Sequence, residues 1–310
     1  MAIGIAGYFI YTAIPALDST HAWLLRTVEV VQPVLIFLML FITFCKVKMR
    51  ELRWSRWHAY ALLMQISLFV LCTLLAHQCS MFNCQSSMVN GQWSILAQCA
   101  MLCFICPTAT AAAVVTAKLG GNVGSLTTYT IFINIVAALL IPLVLPILNS
   151  QSLILNAQCS ILLRLFPLLI GPLLLALLLR WMWPRLTAKI ASVAGMAFYI
   201  WAVSLTLAIA MSVKALVHSR ASAALLIGIA VVSAVACAVQ FAFGHYVGKA
   251  HGDKVSATQS CGQKNTVFAI WLGYTFLNPL TALAGGFYSI WHNVYNSWQL
   301  KKRTQQINRE

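Results

Sequence analysis

Apolar residues fall in long runs separated by short polar stretches. The runs divide the chain into ten segments, at about 3–17, 28–46, 57–77, 92–117, 122–148, 155–182, 190–213, 221–247, 255–277 and 278–300. All but the first are long enough for a helix across a hydrocarbon core of about 30 Å. In lipid a spanning segment must satisfy its own backbone groups, which for such runs means helix. The pattern predicts an all-α multi-pass membrane protein with about ten transmembrane helices. The first segment lacks a basic flank and an A-x-A cleavage site, so it reads as a span and not as a signal peptide.

Composition points the same way. Of 310 residues 61% are hydrophobic and 8% charged, against about 25% charged in an ordinary soluble domain. A water-soluble enzyme and a disordered chain are both excluded. Twenty Lys and Arg against five Asp and Glu give a net charge of +15, and the placement of the basic residues explains it. Lys46, Lys48, Arg50, Arg53, Arg56, Lys118, Arg180, Arg185, Lys189, Lys249, Lys254, Lys301, Lys302, Arg303 and Arg309 fall on one side of a ten-span arrangement. Arg26, Lys214 and Arg220 fall on the other. By the positive-inside rule both termini are cytoplasmic in a cell membrane. Loops carrying the basic excess in this way do not suggest nucleic acid. The five acids, Asp18, Glu29, Glu51, Asp253 and Glu310, lie in loops or at helix ends, so no carboxylate is expected at mid-membrane depth to carry cations or relay protons.

Two segments are not plain hydrocarbon anchors. The fourth contains Cys106-Pro107-Thr108-Ala109-Thr110-Ala111-Ala112-Ala113, in which Pro107 removes a backbone donor and small residues follow. The ninth contains Thr258-Gln259-Ser260-Cys261-Gly262-Gln263-Lys264-Asn265-Thr266, a polar run at membrane depth. Irregular backbone survives there only when buried in protein or lining a cavity. One interruption is fourth of the first five segments and the other fourth of the second five. Such a correspondence points to two inverted five-helix repeats, residues 1–150 and 151–310, with a binding site between the breaks.

Lys264 is the most informative single residue. A lysine near the centre of a span costs about 2.5–3.5 kcal/mol on insertion scales, and no acid lies at its level. It must be held by polar groups, lose its proton, or face water or an anion. A central cation beside half-helix N-termini suits an anion.

At these residues the chain resembles the bile acid:sodium symporter family. Cys106-Pro107-x-x-Thr110 with Val114-Val115-Thr116 and Gly121-Asn122, Gly262-x-x-Asn265-Thr266, and Phe287-Tyr288-Ser289-Ile290-Trp291-His292-Asn293 carry the resemblance, with Gln65 and Pro172 in support. It implies a panel of spans 1, 2, 6 and 7 and a core of spans 3–5 and 8–10. Spans 4 and 9 would be unwound and crossing, and organic anions would move through the crevice by alternating access. It also implies substrate contacts at Thr108, Thr110, Asn265, His292 and Asn293. Where sodium-using members have a Ser-Asn pair this chain has Ala112-Ala113, where they have Glu it has Ser260, and where they have Gln it has Lys264. A hard cation needs several oxygen ligands, which this set does not supply. The reading is therefore of a divergent member in which Lys264 replaces a bound sodium, near Gln65, Ser260, Gln263 and Thr130. Transport of a small carboxylate would then be uncoupled, exchanging, or coupled to a proton carried by Lys264.

No cofactor is expected, since the chain has no phosphate-cradling loop, no G-x-S-x-G and no H-E-x-x-H. Cys99, Cys103 and Cys106 recur at helical spacing without a companion His or carboxylate and read as packing, not as a metal site. Cys79 and Cys84 share the loop after segment three and could pair in an oxidising compartment. Arg164 either snorkels to the interface or faces the crevice. Three other readings remain open: a sodium-coupled symporter with a rebuilt ion site, a receptor that binds such an anion without moving it, and an intramembrane enzyme using Cys106 or His292.

Overall fold

The computed structural model describes residues 2–14, 21–47, 49–82, 88–148, 154–193, 195–219 and 221–308. Among them there is no β-strand. Fourteen α-helices follow in chain order: α1 (Ala2–Thr12), α2 (His21–Lys46), α3 (Arg56–Phe82), α4 (Met88–Ile105), α5 (Ala112–Lys118), α6 (Val123–Val144), α7 (Ile154–Leu169), α8 (Gly171–Met182), α9 (Pro184–Ser192), α10 (Met196–His218), α11 (Ala223–Ala250), α12 (Lys254–Gly262), α13 (Thr266–Phe276) and α14 (Ala282–Ile307). Five helical stretches are long and apolar enough to cross a membrane: Arg26–Lys46, Arg56–Ser80, Val123–Leu148, Met196–His218 and Ala223–Ala250.

Several elements differ from the sequence pattern, each for a local reason. The sixth segment is two helices, α7 and α8, bent by 41° at Ile170. Pro167 and Pro172 flank that bend, and each lacks the N–H that would continue the ladder. The seventh segment starts later than the hydrophobic run suggests. Residues 184–192 form α9, a separate helix whose basic residues Arg185 and Lys189 are exposed. Gly195, with a left-handed φ of 76°, turns the chain into α10. The ninth segment is less unwound than its polar run implies: Thr258–Gly262 remain helical in α12, and only Gln263–Asn265 leave the helix. The second helix begins at His21, earlier than expected. Residues 15–17 of the first segment, and Cys84 with its pairing to Cys79, lie outside the described residues.

The helices pack in two groups. α2 contacts α8, α9 and α10, and α1 lies on α10. Gln32 fastens α2 to α10 by donating to the Ser204 carbonyl and hydroxyl at 3.2 and 3.1 Å. Arg180 of α8 donates to the carbonyls of Phe44 and Cys45, which end α2. In the other group α3 packs on α4, α11 on α12, α4 and α14, and α13 on α14. Small residues permit the closest approach: a Cβ on Gly244 would sit 2.5 Å from the Ala257 carbonyl oxygen, so α11 and α12 touch backbone to backbone. The groups meet where α2 and α10 touch α13, where α10 touches α14, and along α6 and α7.

Candidate functional site

Two helical pairs, α4–α5 and α12–α13, are broken at residues 106–111 and 263–265, and the breaks pair with each other. Thr108 and Lys264 form an antiparallel bridge. The Ala109 N–H donates to the Gln263 carbonyl, and the Asn265 N–H to the Pro107 carbonyl, both at 2.8 Å. The Thr108 hydroxyl adds a 2.8 Å bond to the Ser260 carbonyl. Backbone groups released by each break are thus satisfied by the other, as burial in a low-dielectric interior requires. On the far side, Asn265 caps α13 by accepting from the Phe268 N–H at 3.2 Å. No side chain caps α5.

A cavity of about 480 Å3 opens against this crossing. Its apolar wall comes from α2 and α10, including Met39, Val47 and Trp201. Its polar wall comes from the breaks and α14. Gln263, Lys264, Asn265, His292 and Asn296 all line it, and none is more than 5% exposed. Each retains unused hydrogen-bonding capacity: among the described residues, Gln263 Oε1, Lys264 Nζ, Asn265 Nδ2, His292 Nδ1 and both amide atoms of Asn296 have no partner. An unsatisfied buried polar atom costs about 1–3 kcal/mol. A cluster of them on one cavity wall is the arrangement of a binding site. The thiols of Cys261, Cys106, Cys103 and Cys237 lie near Lys264. Lys46, Glu51 and Leu300 also belong to the lining.

The expected site residues divide accordingly. Thr110, Gln263, Lys264, Asn265, His292 and Asn293 share the cavity lining. Thr108 is buried behind it, its hydroxyl spent on the crossing. Ser260 is buried and does not line it, and its hydroxyl has no partner among the described residues. Thr130 and Gln65 do not line it. The Thr130 hydroxyl bonds back to the Leu126 carbonyl. Gln65 is engaged elsewhere, accepting from the Tyr129 hydroxyl at 2.6 Å and donating to Gln240 at 3.1 Å. Among the described residues Lys264 Nζ has no hydrogen-bond partner, Gln65 and Ser260 included. Trp291 donates to the Ala230 carbonyl, and Arg164 does not line this cavity.

Gln240, Tyr129 and Asn296 escaped the sequence reading. Gln240 of α11 also donates to the Tyr288 hydroxyl, which donates to the Gly262 carbonyl at 2.8 Å. With Gln65 and Tyr129 this makes a buried chain that ties α3, α6, α11 and α14 to the end of α12. A glutamine alone in the apolar run of α11 was the available signal. Asn296, one helical turn beyond His292, was the third.

Among the positions that would bind sodium by resemblance, Ser260 keeps a buried hydroxyl without a hydrogen-bond partner among the described residues. Ala112 is fully buried with only a methyl, and the Thr127 and Thr130 hydroxyls bond back to Val123 and Leu126. The Gln65 oxygen already accepts from Tyr129. Among the described residues, no group of three His, Cys, Asp or Glu side chains is placed to hold a metal ion.

A family model of transporters matches residues 3–300, nearly the whole chain. The chain belongs to the SBF-like CPA transporter family. That family is bile acid:sodium symporter-like, in keeping with the motifs around Pro107, Gly262 and Tyr288. Membership makes this chain a transporter of some solute and, with its apolar helices, an integral membrane protein. No curated protein matches the chain.

Proposed function

We propose that this family member carries small organic carboxylates across the membrane by alternating access, without sodium. Lys264 supplies the fixed positive charge at the crossing. The observation that carries the reading is Lys264, 1% exposed on a cavity wall, its ammonium without a hydrogen-bond partner among the described residues. A carboxylate offers only acceptors and a negative charge, which complements Lys264 Nζ and Asn265 Nδ2. The facing apolar wall suits an organic body attached to that carboxylate.

In this reading α1, α2, α3, α4–α5, α6, α7–α8, α10, α11, α12–α13 and α14 are the ten spans, arranged as two inverted repeats. The group built on α2 and α10 is the panel, and the group holding both breaks is the core. With both termini cytoplasmic, the cavity faces inward, since its lining includes Lys46 at the end of α2, Glu51 just after it and Leu300 in the last part of α14. Release on that side needs only solvent exchange. Return requires the core to shift against the panel.

Uptake of labelled carboxylates into proteoliposomes, beside the matching amides and amines, tests this. Saturable uptake confined to carboxylates is expected. Preference for the amine, or binding without uptake as in a receptor, would contradict it.

A further inference from the structure

A second cavity, of about 470 Å3, lies between α2, α7 and α13 and is lined by Glu29, Pro33, Arg164, Trp271, Tyr274 and Thr275. It shares no residue with the first. α2 supplies Met39, Thr43 and Lys46 to one and Glu29 and Pro33 to the other. About six residues, or roughly 9 Å of helix, separate Pro33 from Met39 along that path. Ile36, between these residues on α2, is fully buried in the core, as are Val267 and Phe268 in the first turn of α13.

Charge and backbone distinguish this second cavity. Arg164 is exposed on its wall, where a guanidinium offers five donors in a planar fork suited to a carboxylate. Glu29 on α2 and Tyr274 on α13 line the same cavity as Arg164. Both charged residues sit about one turn outside a proline in the same helix, Pro33 in α2 and Pro167 in α7. Pro33 leaves the carbonyl of Glu29 without its helical donor, at the cavity itself. Proline in each helix supplies a place to bend, so the charged ends of α2 and α7 can move relative to the buried layer beneath them.

We propose that this second cavity is the outer capture station for the transported carboxylate, with Arg164 as its ligand and Glu29 as the internal carboxylate that competes for Arg164. The inference rests on the transporter reading and on the orientation drawn from charge. It adds a second anion site, remote from Lys264 and used only from outside. An arriving carboxylate displaces Glu29 from the field of Arg164. The separation of α2 from α13 then carries the anion past Ile36 toward the crossing.

Sidedness tests it. In proteoliposomes of known orientation, Arg164→Gln should raise the outer-face KM for a carboxylate about tenfold, the order expected for one lost charge-assisted contact. The inner-face KM should stay at the wild-type value. Glu29→Gln should lower the outer KM, and Arg164→Lys should restore part of the loss. Equal changes at both faces, or none, would overturn the proposal. A second assay reads binding without transport. Thr275→Cys, with Cys79, Cys84 and Cys159 replaced by Ser, is exposed to a membrane-impermeant thiol reagent from outside. Protection by acetate or a longer carboxylate, lost with Arg164→Gln, supports the station even if no uptake is found for any substrate tried. Labelling without protection overturns it, whatever the uptake experiments give.

Discussion

The Asn265 N–H donates to the Pro107 carbonyl at 2.8 Å, so the residue that caps α13 is hydrogen-bonded to the proline that follows α4. Neither break could remain open alone at this depth, because each would leave buried backbone groups unpaired. The crossing is a mutual solution. It also fixes where Lys264 stands, since that residue lies between the two bonded positions Gln263 and Asn265.

Thr108 holds the crossing through its hydroxyl bond to the Ser260 carbonyl. Thr108→Val keeps the shape and removes the donor, leaving a buried carbonyl one bond short. A loss of about 1–3 kcal/mol is expected, and Thr108→Ser should recover most of it. Thermal unfolding of the purified protein in detergent checks both. A valine variant as stable as wild type would mean that the hydroxyl bond contributes nothing to the crossing.

Asn265 has two separable roles. Its Oδ1 caps α13, and its Nδ2 is unpaired at the cavity. Asn265→Asp keeps an acceptor for the Phe268 N–H but replaces the free donor with a negative charge beside Lys264. Thermal stability should hold near wild type while carboxylate uptake falls at least about tenfold, the order of a lost charge-assisted contact. Asn265→Ala should lower both, the cap alone contributing about 1 kcal/mol. Full uptake by the aspartate variant would show that the carboxylate does not approach Asn265.

The contact of α11 with α12 depends on Gly244. An added Cβ would meet the Ala257 carbonyl oxygen at 2.5 Å, so Gly244→Ala should destabilise by about 1–3 kcal/mol. Gly7 in α1 has nothing within 4 Å of the corresponding position, and Gly7→Ala should be neutral or slightly stabilising. Comparing the unfolding midpoints of the two variants separates close packing from a general intolerance of alanine.

The helical architecture and both breaks were legible because their causes are local. Pro107 lacks a donor, and the polar run from Thr258 to Thr266 cannot face lipid. The bend between α7 and α8 was less legible, since Pro167 and Pro172 lie within an apolar run that reads as one segment. α9 was hidden for the opposite reason: its residues are too polar for a span, and its role as a separate helix depends on Gly195. Which side chains share the cavity is set by tertiary packing. Gln65 and Thr130 carry the right chemistry for a polar site, yet one is engaged by Tyr129 and Gln240 and the other by its own helix. Asn296 became visible only once α14 was seen to present His292 and Asn296 to the same cavity.

The central claim is that Lys264 does the work of a bound cation. Its most direct test is the initial rate of carboxylate uptake into proteoliposomes with sodium fully replaced by potassium on both sides, for the wild-type protein and for Lys264→Gln. The account predicts the same wild-type rate with and without sodium, and loss of that uptake in the glutamine variant. Wild-type uptake that disappears with sodium, or a glutamine variant that transports at the wild-type rate in its absence, would contradict it.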